Sequence, residues 1–329
     1  MKYLVIGGTG FIGSHLVEYL LTQGGTVRVP IRDSSSLEWL PVENKSLELI
    51  KCDLFNEIDR QKLFNGIEIV FHLAGVTKAL NWRKYKKFNS VLTKVLYDSA
   101  SDSNSIKKFI FLSSQASKGP SPAKLGLNEE EFSRPVSLYG KSKRLAEKYL
   151  ERKIGVQKIV IYLSAVFGPR ERDFFTFFKI ASRHICFFIG YKHRFFDLIY
   201  VKDLVKALHI VSRETSGKDI KLNIAGSRYV NWRIFLRHLS YSVRGHIYKI
   251  FIPEIIFFPI AILFDFYYRI TSQPPLLNKE KLCEIRELFW LLDCRKLYTE
   301  YNFKEDFGFE KGINETFDWY KEKGWVKGV

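Results

Sequence analysis

Cysteine is scarce in this chain and falls in no pattern. Four occur in 329 residues, Cys52, Cys186, Cys283 and Cys294, with no CxxC pair. Their spacing excludes a zinc module or disulfide framework and predicts buried free thiols in a reducing compartment. Histidine offers no metal set either: His184, His193 and His209 have no ligand spacing, and His72 reads as strand packing. There is no internal repeat and no low-complexity tract. No long apolar run follows Met1 and Lys2, which lead directly into "YLVIGGTG", so no signal peptide is expected. Basic residues are in excess, giving a net charge of +17, but they form no arginine-rich block or basic tail. With no zinc-finger or RNA-recognition signature, nucleic acid is not the expected partner. An anionic membrane or a phosphorylated substrate would each account for the charge.

What is present is a large apolar content, 46% hydrophobic and 16% aromatic, enough for a sizeable core. Strands are predicted at 2–7, 26–31, 47–52, 67–75, 107–114 and 157–164. Several are near-continuous Val/Ile/Leu/Phe runs, as expected for parallel strands covered on both faces. Helical periodicity lies between them, at 11–23, 57–65, 83–103 and 140–153. This alternation predicts an α/β fold, a Rossmann-like doubly wound parallel sheet. After residue 165 the rhythm breaks. Helices near 173–184, 203–213, 231–243 and 309–323 are separated by short strands such as "FFDLIYV" and "IKLNIAG". The expected organisation is a dinucleotide-type domain over 1–165 and a smaller C-terminal substrate lobe over 166–329, with room for one element to return to the main sheet. Pro, Gly and Ser content marks 117–135 and 271–278 as loops.

The first strand runs into "LVIGGTGFIGSHL", which sets Gly7, Gly10 and Gly13 between a strand and a helix. Such a turn lets backbone approach a pyrophosphate at a helix N-terminus. Further on, "SLYGKSKRLAEKYL" puts Tyr139 and Lys143 one helical turn apart, on one face. A free phenol has a pKa of about 10, and a nearby ammonium favours phenolate. Ser114 ends the fifth strand at its C-terminal end, where ligands bind in doubly wound sheets. Asp203 is expected to cap its own helix.

Taken in order, "GGTGFIG", "CDL" (52–54), "HLAG" (72–75), "SS" (113–114) and "YGKSK" (139–143) resemble the extended short-chain dehydrogenase/reductase family, the NAD(P)-dependent epimerase/dehydratase group. The likeness is strongest toward its dihydroflavonol-reductase and 3β-hydroxysteroid-dehydrogenase branch. It implies a catalytic set of Ser114, Tyr139 and Lys143, with Tyr139 as acid/base and Lys143 as its tuner and ribose ligand. It places Phe11 and Ile12 at the pyrophosphate turn, Asp53 and Leu54 at the adenine, Ala74 and Gly75 under the cofactor, and Leu163 on the cofactor side of the sixth strand. Asn89 would brace the site, or is a helix residue bonded to nearby backbone. At the end of the second strand, Ile31 stands where NAD sites carry an acid, and Arg32 follows. Arginine suits a 2′-phosphate, so NADP(H) is favoured over NAD(H). Ser34 and Ser35 could add donors, and Asp33 could face the ribose or pair with Arg32.

The sequence departs from the resemblance at two points, one of which is the usual "LRPxNVYGP", here "IYLSAVFGP", with Tyr162 in place of the arginine and Leu163 in place of the proline. Dehydratases of the family carry Asp-Glu after the Ser/Thr; here Gln115 and Ala116 stand there, which disfavours dehydration and makes Gln115 a substrate candidate. Arg170 and Arg172, near the expected cleft, either grip an anionic substrate or are solvated. The segment 250–270 is the most apolar but carries Pro253, Glu254, Pro259 and Asp265. It reads as an interfacial helix at an anionic membrane, as a core helix, or as a wall for an apolar ligand. The expected activity is an oxidoreductase acting on a secondary alcohol or ketone, lipid-like or nucleotide-linked. A nucleotide-sugar epimerase is the alternative within chemistry, and a cofactor-binding regulatory or scaffold protein lies outside it. The expected location is cytoplasmic, with a peripheral contact at the inner membrane face. The resemblance also implies a homodimer.

Overall fold

A computed structural model of the chain describes residues 1–326 apart from 80, 153–154, 191, 244, 254, 257–258 and 260–278. Its centre is a sheet of seven parallel strands: β1 (Lys2–Ile6), β2 (Thr26–Ile31), β3 (Leu47–Lys51), β4 (Ile69–His72), β5 (Lys108–Leu112), β6 (Gln157–Leu163) and β10 (Ile220–Ile224). Their spatial order is β10-β6-β5-β4-β1-β2-β3. The order reverses between β1 and β4, and a crevice opens there at the C-terminal ends of the strands.

Alternation along each strand explains why the apolar runs are continuous. Tyr3 and Val5 of β1 enter one core layer, while Leu4 and Ile6 enter the other. The first layer is closed by α1 (Phe11–Thr22), through Leu16, Val17 and Leu20, and by α8 (Val201–Ser212), through Leu204, Ala207 and Leu208. The second is closed by α2 (Glu57–Phe64), by the helix ending in α4 (Leu92–Ser101) and by α6 (Leu138–Leu150). Both faces of the sheet are therefore dry. His72 is fully buried in the second layer, and burial drives its imidazole pKa down to about 3.

The helix predicted over 83–103 is not uniform. A turn of α-helix, α3 (Trp82–Tyr85), passes into a π-helical stretch, Lys86–Val91, before α4 resumes the regular pitch. A π turn inserts a residue and turns its side chains to a new face. The residue so placed is Asn89.

Beyond β6 the remaining elements form the smaller lobe: β7 (Ala165–Phe167), α7 (Phe175–Ala181), β8 (Ile185–Ile189), β9 (Phe195–Tyr200), β11 (Tyr229–Asn231), α9 (Trp232–Ser242) and β12 (Tyr248–Ile252). The element that returns to the main sheet is β10, from "IKLNIAG", which pairs with β6 along its whole length. Residues 250–252 form strand β12, paired with β8, and not the start of a helix. The remainder of 250–270 is described only at 253, 255, 256 and 259, and 271–278 lies outside the described residues. No helix among the described residues is long and apolar enough to cross a membrane.

Asp203 caps a helix, but not its own. Its buried carboxylate accepts from the backbone N–H groups of Asp306, Phe307 and Gly308, at 2.8, 3.2 and 2.8 Å. These amides open the terminal helix Gly308–Glu322. The correction has a simple cause. Asp203 lies in the first turn of α8, next to three unpaired amides delivered by a segment one hundred residues away.

Candidate active site

The glycine turn is built by contacts that no side chain could share. Gly7 has φ +94°, and a Cβ there would stand 2.9 Å from the Ala74 amide nitrogen. At Gly13 a Cβ would stand 2.1 Å from the Gly7 carbonyl oxygen. Strand β1, helix α1 and the segment after β4 are thus drawn together backbone to backbone. In front of them lies a groove of about 880 Å³. Gly7, Gly10, Phe11, Ile12 and Gly13 line its floor, Ala74 and Gly75 its inner end, and Asp53 and Leu54 its far wall. This cradle, with exposed glycine backbone at a helix start, fits a dinucleotide.

Arg32 also lines the groove and is exposed; its N–H donates to Ser35 Oγ at 2.9 Å. Asp33 does not pair with Arg32. Its carboxylate lies 2.5 Å from Lys51 Nζ, at the end of β3. Lys51 is a groove residue that the sequence reading missed, as are Thr9, Phe55 and Phe88. The signal for Lys51 was its place beside the "CDL" motif, one strand over from Arg32. Leu163 does not face the groove; it packs in the first core layer, where strand alternation sends it.

Tyr139 and Ser114 are brought together by the packing of two helices beyond β5, whose last residue, Leu112, lines this groove. Ser137 caps α6, its Oγ accepting from Gly140 N–H at 3.1 Å. Gly140 lets that helix approach a short helix, Gln115–Lys118 (α5): a Cβ on Gly140 would stand 2.1 Å from the Ala116 carbonyl oxygen. That contact, hidden in "YGKSK", brings α6 against α5 and Tyr139 to the side of Ser114. Ser114 in turn caps α5, accepting from Ala116 N–H at 3.1 Å. Burial pushes the Tyr139 phenol well above its ordinary pKa. The Ser114 hydrogen bond opposes this, while Glu284 and Tyr85 add to it. Lys143 does not hydrogen-bond this phenol.

The reason is where Lys143 points. Its Nζ donates to the Leu112 carbonyl at 2.8 Å and sits 4.8 Å from the Phe111 ring centroid. It is 4% exposed, and burial lowers its pKa to about 8, against the opposing charge of Glu147. A Cβ on Gly75 would stand 3.3 Å from that Nζ, so the ammonium borders the groove where Ala74 and Gly75 pass. Asn89 is fully buried and clamps the next residue along. Its Oδ1 accepts from Val76 N–H at 2.7 Å, and its Nδ2 donates to Val76 O and Ser142 Oγ, both at 2.9 Å.

Gln115 is buried and next to Ser114 in the chain, and its Nε2 has no hydrogen-bond partner among the described residues. Arg170 is not in the cleft. Its guanidinium donates to Ser14 Oγ at 3.0 Å and to Glu18 Oε1 at 2.7 Å, and lies 5.5 Å from the Trp39 ring, all on the α1 side. Arg172 is exposed and lies 5.9 Å from the Trp325 ring, away from the groove. Among the described residues no cluster of His, Cys, Asp and Glu could hold a metal ion.

A groove shaped for a dinucleotide at the switch point of a doubly wound sheet, with a buried lysine at its edge, fits a nicotinamide-dependent enzyme. The chain belongs to the NAD dependent epimerase/dehydratase family, whose profile matches residues 3–225. It is an NAD(P)-dependent oxidoreductase or epimerase of the extended short-chain dehydrogenase type. Ceramide reductase of Caulobacter vibrioides (strain NA1000 / CB15N) is 24% identical over 323 residues, 98% of this chain and 95% of the relative. Sterol-4-alpha-carboxylate 3-dehydrogenase, decarboxylating, of Mus musculus is 24% identical over 82% of this chain and 76% of its own length. Among solved structures, UDP-glucuronic acid 4-epimerase from Bacillus cereus, in complex with UDP-glucuronic acid and NAD, superimposes with a TM-score of 0.79 at 20% identity. That match covers 98% of this chain and all of the other, and it shows the shared fold.

Proposed function

We propose that this enzyme interconverts a ketone and a secondary alcohol on a lipid-like substrate, with NADP(H) as the preferred cofactor. The observation that carries the reading is the dinucleotide groove with the buried Lys143 ammonium at its edge, one helical turn from Tyr139, which lies beside Ser114. When bound, the nicotinamide supplies or accepts the hydride. Tyr139 does the proton work. Its raised pKa keeps the phenol protonated at neutral pH, the form that can give its proton to a carbonyl oxygen as the carbon is reduced. Ser114 orients that oxygen, and Gln115, next to it in the chain, offers a second donor in its unpartnered Nε2. Lys143 holds a positive charge at the groove and offers donors to ribose hydroxyls. Asn89 positions Val76, and through it the segment beneath the cofactor.

NADP(H) preference is supported by Arg32 at the groove rim, by Ile31 in place of an acid, and by Asp33 being turned toward Lys51. The lipid-like substrate is supported by relatives named for ceramide, sterol and hydroxysteroid, which match 98%, 82% and 96% of the chain. A second reading, a nucleotide-sugar epimerase, is favoured by the neighbours solved with NAD and nucleotide sugars.

The test is Tyr139→Phe in a screen of long-chain and sterol ketones with NADPH. Turnover should fall by about 10²–10⁴-fold while NADPH affinity is retained. Undiminished turnover would refute the relay. NAD that copurifies tightly, with product isomers and no net nicotinamide change, would favour the epimerase.

A further inference from the structure

The smaller lobe carries a surface that the reaction does not use. Strands β8 and β12 form a two-stranded parallel ribbon, with Phe187 opposite Ile250 and Phe188 opposite Phe251. One side of β8 is core: Cys186 and Phe188 are buried. β12 is exposed almost throughout and is apolar except for Lys249, with Tyr248 66%, Ile250 42% and Phe251 42% exposed. Phe187 stands out beside it, and Ile255, 81% exposed, and Ile256 continue the apolar surface past its end. Among the described residues no third strand pairs with this ribbon, and an exposed apolar strand edge in water favours a covering partner.

Directly against the ribbon is a second cavity, of about 270 Å³. Phe188, Phe251 and Trp232 give it aromatic walls, and Lys192, Arg233 and Lys249 give it charge. No acidic residue lines it, and these three cations have no ion-pair partner among the described residues. Arg194, almost fully buried, underlies them and is held by the Ile285 carbonyl at 2.6 Å. Exposed aromatic and aliphatic groups around a cationic hollow match the layered chemistry of an anionic bilayer surface: acyl chains beside phosphates. The overall charge of +17 favours approach to such a surface from any direction.

We propose that the β8–β12 ribbon is a membrane-docking surface, in which Ile250, Phe251 and Ile255 enter the interfacial layer and the Lys192–Arg233–Lys249 hollow receives the phosphate of an anionic phospholipid. Helix α9 braces the hollow from behind with Trp232, whose ring lies 6.2 Å from Phe188. A chain of contacts links this surface to the helix that carries Tyr139. Ile285, which holds Arg194, is next in sequence to Glu284, and Glu284 accepts from Ser137 Oγ at 2.8 Å, at the cap of the helix carrying Tyr139.

The test is flotation of the full chain with vesicles of phosphatidylcholine alone or mixed with phosphatidylglycerol, and it needs no turnover. A wrong substrate assignment therefore leaves its outcome unaffected. The expected result is partition into the anionic vesicles at least tenfold above the neutral ones, weakening as salt rises. The combined change Lys192→Glu, Arg233→Glu and Lys249→Glu should abolish the difference, at about fivefold or more per cation. Ile250→Ser with Phe251→Ser should weaken binding to the same vesicles. Unchanged thermal melting and NADPH affinity in both variants establish that the fold is intact. Equal binding to neutral and anionic vesicles, or full binding by the triple variant, overturns the proposal. So does saturable binding of inorganic pyrophosphate in the hollow with no vesicle binding, or a dimer broken by the Ile250/Phe251 changes with no vesicle binding.

Discussion

Lys143 donates its Nζ proton to the carbonyl oxygen of Leu112 at 2.8 Å, and the strand carbonyl, not the Tyr139 phenol, is its hydrogen-bond partner. The lysine is therefore anchored to the sheet before any ligand arrives. Its charge is held at the groove by a backbone acceptor and by Glu147 at longer range.

A pH dependence follows from this burial. The Lys143 pKa falls from 10.5 in the unfolded chain to about 8 in the fold, so the ammonium is present below that value and lost above it. NADPH affinity should weaken as pH rises through about 8, and Lys143→Met should remove the step. For stability the sign is opposite. Between about 8 and 10.5 the unfolded chain holds a proton that the folded chain has lost, so this group makes the free protein more stable as pH rises. Calorimetric titration across this range checks the first part. A flat affinity profile would show that the charge does not contact the cofactor.

Gln115 should show a trade between stability and activity. Its buried Nε2 has no partner, and an unmet buried donor costs on the order of 1–3 kcal/mol. Gln115→Leu is expected to raise the melting temperature by a few degrees and to lower kcat/KM about tenfold or more. Melting curves and steady-state kinetics on one preparation decide it. A lower melting temperature with unchanged kinetics would make Gln115 a packing residue.

Cofactor choice should depend on two cations on adjacent strands. Arg32→Ala is expected to weaken NADP(H) about tenfold to a hundredfold while NAD(H) changes little, since only the former offers a 2′-phosphate. Lys51→Ala leaves the Asp33 carboxylate without the ammonium 2.5 Å away, and should weaken NADP(H) as well. Dissociation constants for both cofactors settle this. Parallel losses for NAD(H) and NADP(H) would place Arg32 elsewhere than at the 2′-position.

Arg170 should behave as a strut. Arg170→Ala removes two hydrogen bonds to α1 and leaves Glu18 without its partner. The fold should lose about 1–2 kcal/mol, with KM for substrate and cofactor unchanged. A KM increase at constant melting temperature would return Arg170 to the substrate site.

Much of this protein is legible in its sequence because the deciding interactions are local. The glycine turn needs a strand before it and a helix after it, and "YLVIGGTGFIGSHL" has both. Tyr139 and Lys143 share a face because four residues make about one helical turn. The strands of the main sheet could be read because residues that alternate between two dry layers leave continuous apolar runs. Those constraints fixed the doubly wound class, the groove and the catalytic candidates.

The tertiary structure decided what depends on distant partners. Asp203 caps a helix a hundred residues away because packing of α8 brings it to unpaired amides there. Arg170 turns from the cleft because Ser14 and Glu18, more than 150 residues earlier, lie within its reach. Leu163 faces the core because its register beside Ile224 sends it there. Gly140 reads as a helix residue, but it is the point where α6 touches Ala116 and so meets Ser114. Each outcome was set by which backbone groups and charges the packed layers bring within hydrogen-bond distance, and spacing along the chain does not encode that.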